Sequence, residues 1–255
     1  MKISIITVVY NNKDFIEDCI NSVIAQSYKN IEYIIIDGNS TDGTIGVVKK
    51  YEKYISKWIS EPDSGIYDAM NKGIRTSTGD IIGFLNSDDV YYNNEVIKKV
   101  IDRFKGGKSD IVYGDLVYVR KENLDKIVRY WESGEYREGL FEEGWHPPHP
   151  AFFVKREVFG KYGDFNTNFK ISADYEMMLR FLKRYRVSAG NIDEILVKMR
   201  TGGRSGRNFK NILEANIECY KAWKENGYLP SVLFIFKKIL LKIKQYVKFY
   251  EKKNI

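Results

Sequence analysis

Along this chain, short unbroken apolar runs alternate with stretches in which apolar residues recur every three or four positions. "ISIITVV" (3–9), "IEYIIID" (31–37), "KWISE" (57–61) and "DIIGFLN" (80–86) are of the first kind. Continuous, β-branched runs of this length predict strands of a sheet covered on both faces. "DFIEDCINSVIAQSY" (14–28) is of the second kind, with Phe15, Ile16, Cys19, Ile20, Val23 and Ile24 on one helical face. A helix from about 44 to 54 follows the turn "GNSTDGT", and another lies within 64–79. Strands alternating with helices predict a parallel sheet whose ligands bind beyond the strands' carboxyl ends.

The second half is less regular. "DIVYGDLVYVR" (110–120) and "KIVRYW" (126–131) have the pattern of a hairpin, and 149–163 that of a strand running into a short helix. Segments 172–185 and 211–226 are amphipathic helices. No repeat or low-complexity linker interrupts the chain, so one compact domain over 1–226 and a helical extension over 227–255 are expected.

Charge changes the picture at one end only. From Lys237 onward there are seven lysines against Glu251, which accounts for nearly all of the net charge of +7. A basic face for nucleic acid is therefore not expected. Cys19 and Cys219 form no CxxC pair, which fits a reduced, cytosolic chain without a thiolate metal site. The start, "MKISIITVVY", has the pattern of a strand rather than an export signal. Nowhere do about 18 consecutive apolar residues occur.

The candidate chemistry gathers where the predicted strands end: Thr7 to Asn11, Asp37-Gly38-Asn39, Asp63 in "EPDSG", and Asn86-Ser87-Asp88-Asp89. Parallel strands bring all four to one edge. Adjacent aspartates after a buried strand suit either a turn and cap or a hard divalent cation. His146 and His149 stand among three prolines, which exclude the helix that a two-histidine metal site at this spacing needs.

"TVVYNN", "IIIDGNSTDGT", "EPDSGIYDAMNKGI", "GDIIGFLNSDD", "HPAFFVKREVF", "FKISADYEMMLRFL" and "MRTGGRS" occur in this order across about residues 3–205. In these blocks the chain resembles the family 2 glycosyltransferases, inverting enzymes of the GT-A fold, and most closely the bacterial members that build surface polysaccharides such as O-antigen and capsule. The resemblance implies a Rossmann-like, mostly parallel central sheet flanked by helices. It implies a nucleotide-sugar half over about 1–110, an acceptor half over about 111–226, and a C-terminal helical extension. It also implies a UDP-sugar donor, a saccharide or lipid-linked acceptor, and Mn2+ or Mg2+ as cofactor.

Residue by residue, the resemblance places Thr7 and Tyr10 in the base pocket, and Asp37 where it accepts a hydrogen bond from the base. Asp63 matches a second carboxylate near base or ribose, and Lys72 or Arg75 would meet the diphosphate, Arg75 reading better as a solvated helix position. Asn86-Ser87-Asp88 matches the Asp-x-Asp metal motif with Asn at its first position; Asp88 is then the metal ligand and Asp89 its support. Asp174 matches the catalytic base, since inverting transfer needs one carboxylate to take the acceptor's proton. His149 falls on the acceptor side in a structural or contact role, and Trp145 is either a sugar platform or a core residue. Arg204, with Arg200 and Arg207, sits in a Gly-Gly loop suited to closing over a diphosphate.

In the tail, apolar residues at 232, 236, 239, 240, 243, 247 and 250 keep helical spacing among the lysines. That pattern fits the inner face of an anionic membrane, a packed helix, or a contact between copies; a lipid-linked acceptor favours the membrane. The other function class is a non-catalytic sugar-nucleotide or glycan-binding subunit of a membrane assembly. A nucleotidyltransferase is more distant, because no Gly- and Arg-rich phosphate loop opens the chain.

Overall fold

The structure, a computed structural model, describes residues 1–202, 209–231 and 233–253. The first half runs β1 (Ile3–Val9), α1 (Ile16–Ile24), β2 (Ile31–Asp37), α2 (Thr44–Lys50), β3 (Lys57–Ser60), α3 (Ile66–Thr76), β4 (Ile81–Phe84), β5 (Val90–Tyr91) and α4 (Val96–Gly106). The second half runs β6 (Ile111–Arg120), β7 (Asn123–Trp131), β8 (Phe152–Lys155), α5 (Arg156–Tyr162), α6 (Ala173–Leu179), β9 (Ala189–Arg200), α7 (Phe209–Glu225) and α8 (Leu233–Lys253). A π-helical turn over Arg180–Arg184 continues α6.

Among the described residues nine strands join one sheet in the order β3-β2-β1-β4-β8-β6-β9-β5, with β7 paired to β6. β3, β2, β1 and β4 are parallel, as the alternation of elements predicts. The rest corrects the expectation of a mostly parallel sheet. β8 runs antiparallel to both β4 and β6, β7 to β6 and β5 to β9, while β6 and β9 are parallel. Connectivity is the reason for β7: two residues separate it from β6, and so short a link allows only an antiparallel neighbour.

The sheet is covered on both faces, which is why its first strands are apolar throughout. Ile6, Val8, Ile34, Ile36, Ile82 and Phe84 pack against α3, α5, α6 and α7. Ile3, Ile5, Val9, Ile35, Ile81 and Leu85 pack against α1 and α4. α4 carries its apolar residues at helical spacing (Val96, Ile97, Val100, Ile101, Phe104) and was legible, although it stands outside the elements named from sequence. β9 is less legible, because Asp193 and Glu194 break its apolar run.

α8 docks on β7 and on the turn over Phe141–Glu143. Phe234 is buried against Tyr175 and Trp223, at ring centroid distances of 6.1 and 5.6 Å. Gly144 (φ +85°) makes this approach possible, because a Cβ there would lie 2.4 Å from the Lys238 nitrogen. The tail helix therefore belongs, along one face, to the body of the protein.

The end of the sheet away from the strands' carboxyl ends is tied by Glu32. Its carboxylate accepts hydrogen bonds from Lys2 Nζ (2.7 Å), Ser4 Oγ (2.5 Å), and both the backbone nitrogen (2.7 Å) and Oγ1 (2.6 Å) of Thr78. Burial opposes ionisation, but the four donors prevail and hold the group down to about 2 from an ordinary 4.5. A depressed folded-state pKa contributes stability that is fully present above the unfolded value and is lost as pH falls through the folded one. Glu32→Gln is therefore expected to cost about 2 kcal/mol at neutral pH. Urea unfolding should show that cost shrinking as pH falls from 4.5 towards 2.

Candidate active site

Register fixes the first part of the site. Val9 pairs with Asp37 and Asp37 with Ser60, so β1, β2 and β3 finish level and deliver Tyr10, Asp37 and the loop holding Asp63 side by side. The loops interlock: Asn11 N donates to Ser40 Oγ (2.8 Å), Thr41 N to Asn11 Oδ1 (2.8 Å) and Lys13 N to Asp42 Oδ2 (3.0 Å). Asp37 is 1% exposed. Its Oδ2 accepts from Ser40 N (2.9 Å) and Ser60 Oγ (2.7 Å), while its Oδ1 is buried with no partner among the described residues. An orphaned buried carboxylate oxygen is costly and points to a missing donor. Beside it, a Cβ on Gly38 would lie 2.5 Å from Asp63 Oδ2 and 3.3 Å from the Tyr10 ring, so these three residues border one spot. Tyr10 is 66% exposed there.

The turn after β4 is held from the other half of the chain. Asp89, buried, accepts hydrogen bonds from Asn86 Nδ2 (2.9 Å) and Arg200 N (3.1 Å). The buried Arg200 guanidinium donates to Asp88 O (2.6 Å) and Lys121 O (2.9 Å) and pairs with Asp18. Asn12 Nδ2 reaches Ser87 Oγ (2.8 Å), joining this turn to the end of β1. Burial, then the charge of Asp88, pushes Asp89 up; burial raises Asp88 as well. No other described residue bonds the half-buried Asp88 carboxylate. One half-buried carboxylate of this kind suits a hard divalent ion whose remaining ligands are phosphate oxygens and water. The described residues gather no group of three potential ligands, so they offer that single carboxylate rather than a cage.

Asp174 lies in the first turn of α6, its Oδ1 accepting from Tyr175 N (2.9 Å) and from the Tyr67 hydroxyl (3.1 Å), which also donates to Ile171 O (2.7 Å). Burial and then the Asp174 charge push the Tyr67 phenol far up, so it stays a donor. Asp174 Oδ2 takes no bond from the described residues. The loop before Asp174 hangs on buried Glu218 of α7, which accepts from Lys170 N (2.7 Å), Ile171 N (2.9 Å) and Ser172 N (2.7 Å). His149 stacks on Phe84, the last residue of β4 (centroids 5.4 Å apart), and meets Phe165 edge-on. Burial lowers its pKa while the nearby Asp174 charge opposes that, and its Nε2 is buried without a described partner.

Asp37, Tyr10, Asp63, Asn86 and Asp88 thus border one edge of the sheet, and Tyr67 and His149 link that edge to Asp174. Three other positions stand differently. The Thr7 hydroxyl is fully buried against Tyr33 OH (3.2 Å) and Cys19 Sγ (3.6 Å), so its side chain braces β1 instead of lining a pocket. Lys72, on α3, is spent on the loop before that helix, donating to Pro62 O (2.8 Å) and pairing with Glu61 (3.0 Å). Trp145 donates to Ser133 O (2.5 Å) and stacks on Tyr136, a core position rather than a sugar platform. Arg75 is exposed, with Asp164 at 4.0 Å. His146 is partly buried, and burial and then Lys238 pull its pKa down to about 3; no group of three potential metal ligands gathers around it among the described residues. Arg204 and Arg207 lie outside the described residues. Reading the sequence missed Tyr67, Glu218 and the anchoring role of Arg200; for Tyr67 the signal was its place inside "SGIYDAM", directly after Asp63.

The sequence profile of Glycosyl transferase family 2 matches residues 4–163, more than half of the chain. The chain belongs to this family. An uncharacterized glycosyltransferase of Mycobacterium tuberculosis is 32% identical to this transferase over 187 residues, 70% of this chain and 68% of the relative. A PGL/p-HBAD biosynthesis glycosyltransferase of the same organism is 30% identical over 182 residues, 69% and 68% of the two chains. Among solved structures, S. aureus TarS 1–349 in complex with UDP superposes with TM-score 0.64 at 17% identity, covering 94% of this chain and 70% of that one. Mannosyltransferase PcManGT from Pyrobaculum calidifontis, in complex with GDP-Man and Mn2+, gives 0.67 at 15% identity, covering 94% and 69%. At these identities the likeness is one of fold, and the fold of the transferase is GT-A.

Arg200→Met removes the guanidinium from Asp18, Asp88 and Lys121 at once. Thermal unfolding should show a loss of about 3 kcal/mol, because Asp89 keeps its burial without its compensating cation.

Proposed function

We propose that this family 2 glycosyltransferase moves a sugar from a UDP-sugar to a saccharide or lipid-linked acceptor with inversion, in the building of a bacterial surface polysaccharide at the inner face of the membrane. The observation that carries the donor reading is Asp37 Oδ1, a buried acceptor lacking its donor, with Tyr10 and Asp63 beside it. The N–H edge of a pyrimidine base supplies such a donor, and Asp63 lies where ribose hydroxyls would follow. TarS, similar in fold, is described in complex with UDP and with UDP-GlcNAc.

Asp88 is the residue to hold a divalent cation, Mn2+ or Mg2+, against the donor diphosphate. When bound, such an ion neutralises charge on the departing diphosphate. Asn86 does not add a second carboxylate; its amide is committed to Asp89. Asp174 Oδ2 is the base. Because Oδ1 is occupied by Tyr67 and Tyr175, the carboxylate is fixed with one oxygen directed to the acceptor hydroxyl. As the acceptor oxygen attacks the anomeric carbon, its proton passes to Oδ2, and the bond to the nucleotide diphosphate breaks with the electron pair leaving on phosphate oxygen. One carboxylate suffices, unlike the flanking pair of a glycoside hydrolase.

Asp174→Asn should lower transfer at least about a thousandfold, within the range a positioned base supplies, while calorimetry finds UDP affinity unchanged. Full turnover in this variant would rule out the base assignment. Asp88→Ala should remove the Mn2+-dependent part of UDP binding and leave a weak metal-independent remainder. Nucleotide-sugar binding without donor hydrolysis or transfer across a broad acceptor panel would point instead to a non-catalytic binding subunit.

A further inference from the structure

α8 carries two apolar faces, and the fold uses one. At about 100° per residue, Phe234, Lys238, Leu241 and Gln245 share the face turned to the domain. Phe234 is buried, Lys238 Nζ reaches Cys219 Sγ (2.8 Å), and Gln245 accepts from Arg129. Leu233, Phe236, Ile239, Leu240 and Ile243 form a stripe on the opposite side, each between 46% and 63% exposed. Leu229, just before the helix, is 85% exposed. An exposed apolar stripe of this length on a docked helix marks an interaction surface.

The charges around the stripe select its partner. Lys237 and Lys242, both exposed, lie on its two flanks by helical register, and the sequence adds lysines at 244, 248, 252 and 253 against Glu251 alone. A second copy of the chain meeting this face about a two-fold axis would set lysines against lysines. An anionic bilayer answers both features, taking the apolar side chains into the acyl boundary while the lysine stems carry their ammonium groups to the phosphates. No described helix is long and apolar enough to cross a membrane, so an amphipathic surface such as this would lie along a bilayer rather than span it.

We propose that this face of α8 is a docking surface for anionic phospholipid bilayers, rigidly joined to the acceptor half. The join is short: the docked face of the same helix places Phe234 against Tyr175, the residue after Asp174. The surface stands independently of the transferase reading, since vesicle binding requires neither donor nor turnover.

The full chain should sediment with phosphatidylcholine vesicles containing about a third phosphatidylglycerol at least tenfold more strongly than with phosphatidylcholine alone, and release as salt rises. The double variant Phe236→Glu/Leu240→Glu should lose at least tenfold of that binding with an unchanged melting temperature. Should it melt early, Lys237→Glu/Lys242→Glu carries the test, and must erase the preference for anionic vesicles. Equal binding by wild type and variants overturns the proposal, as does no binding to anionic vesicles. A dimer in solution that the apolar double variant dissociates, without vesicle binding by the wild type, would reassign the stripe to a contact between copies.

Discussion

Two adjacent carboxylates at the end of a buried strand are an electrostatic liability, and the Arg200 guanidinium is what makes the arrangement tenable. Asp89 is nearly inaccessible and receives the Arg200 backbone nitrogen, while the guanidinium takes Asp18 of α1, the Asp88 carbonyl and the Lys121 carbonyl between β6 and β7. One side chain thereby fastens four parts of the chain around the turn. With Asp89 committed to structure, Asp88 keeps a carboxylate that no other described residue hydrogen-bonds, with the charges of Arg200 and Lys121 nearby. The two aspartates are neighbours in sequence and opposites in role.

The same division recurs at the other carboxylates. Asp37 spends Oδ2 on its own loop and keeps Oδ1 unsatisfied; Asp174 spends Oδ1 on Tyr67 and Tyr175 and keeps Oδ2. In each case one oxygen sets orientation and the other takes no hydrogen bond from the described residues. Residues distant in sequence do the holding. Tyr67 comes from the start of α3, just after the loop that carries Asp63, and Glu218 from α7, so Asp174 is positioned jointly by the first half of the chain and by α7.

Much of this was legible because parallel strands with level ends turn a linear list of polar residues into a cluster. The first four strands and the ends at Asp37, Asp63 and Asp88 follow from apolar runs alone. What a run cannot tell is which face of its strand a residue takes. Thr7 sits on the face of Ile3, Ile5 and Val9 and is thereby turned into the core beside Cys19 and Tyr33. Lys72 looked available for a phosphate because its partners, Glu61 and Pro62, lie ten or more residues away across a turn. Arg200 resembled a member of the loop that follows it, yet it is the last residue of β9, a strand disguised by two acids near its middle. Antiparallel insertion of β8 between β4 and β6 has no local signature at all, since it depends on where the long segment before it crosses the molecule.

The way the sheet ends has a consequence for association. Its terminal strands are short, four residues in β3 and two in β5, and β7, paired on one side only, lies against α8. Little unpaired backbone is left to template a strand from another chain. Polymerisation through sheet extension is thereby disfavoured along the described strands.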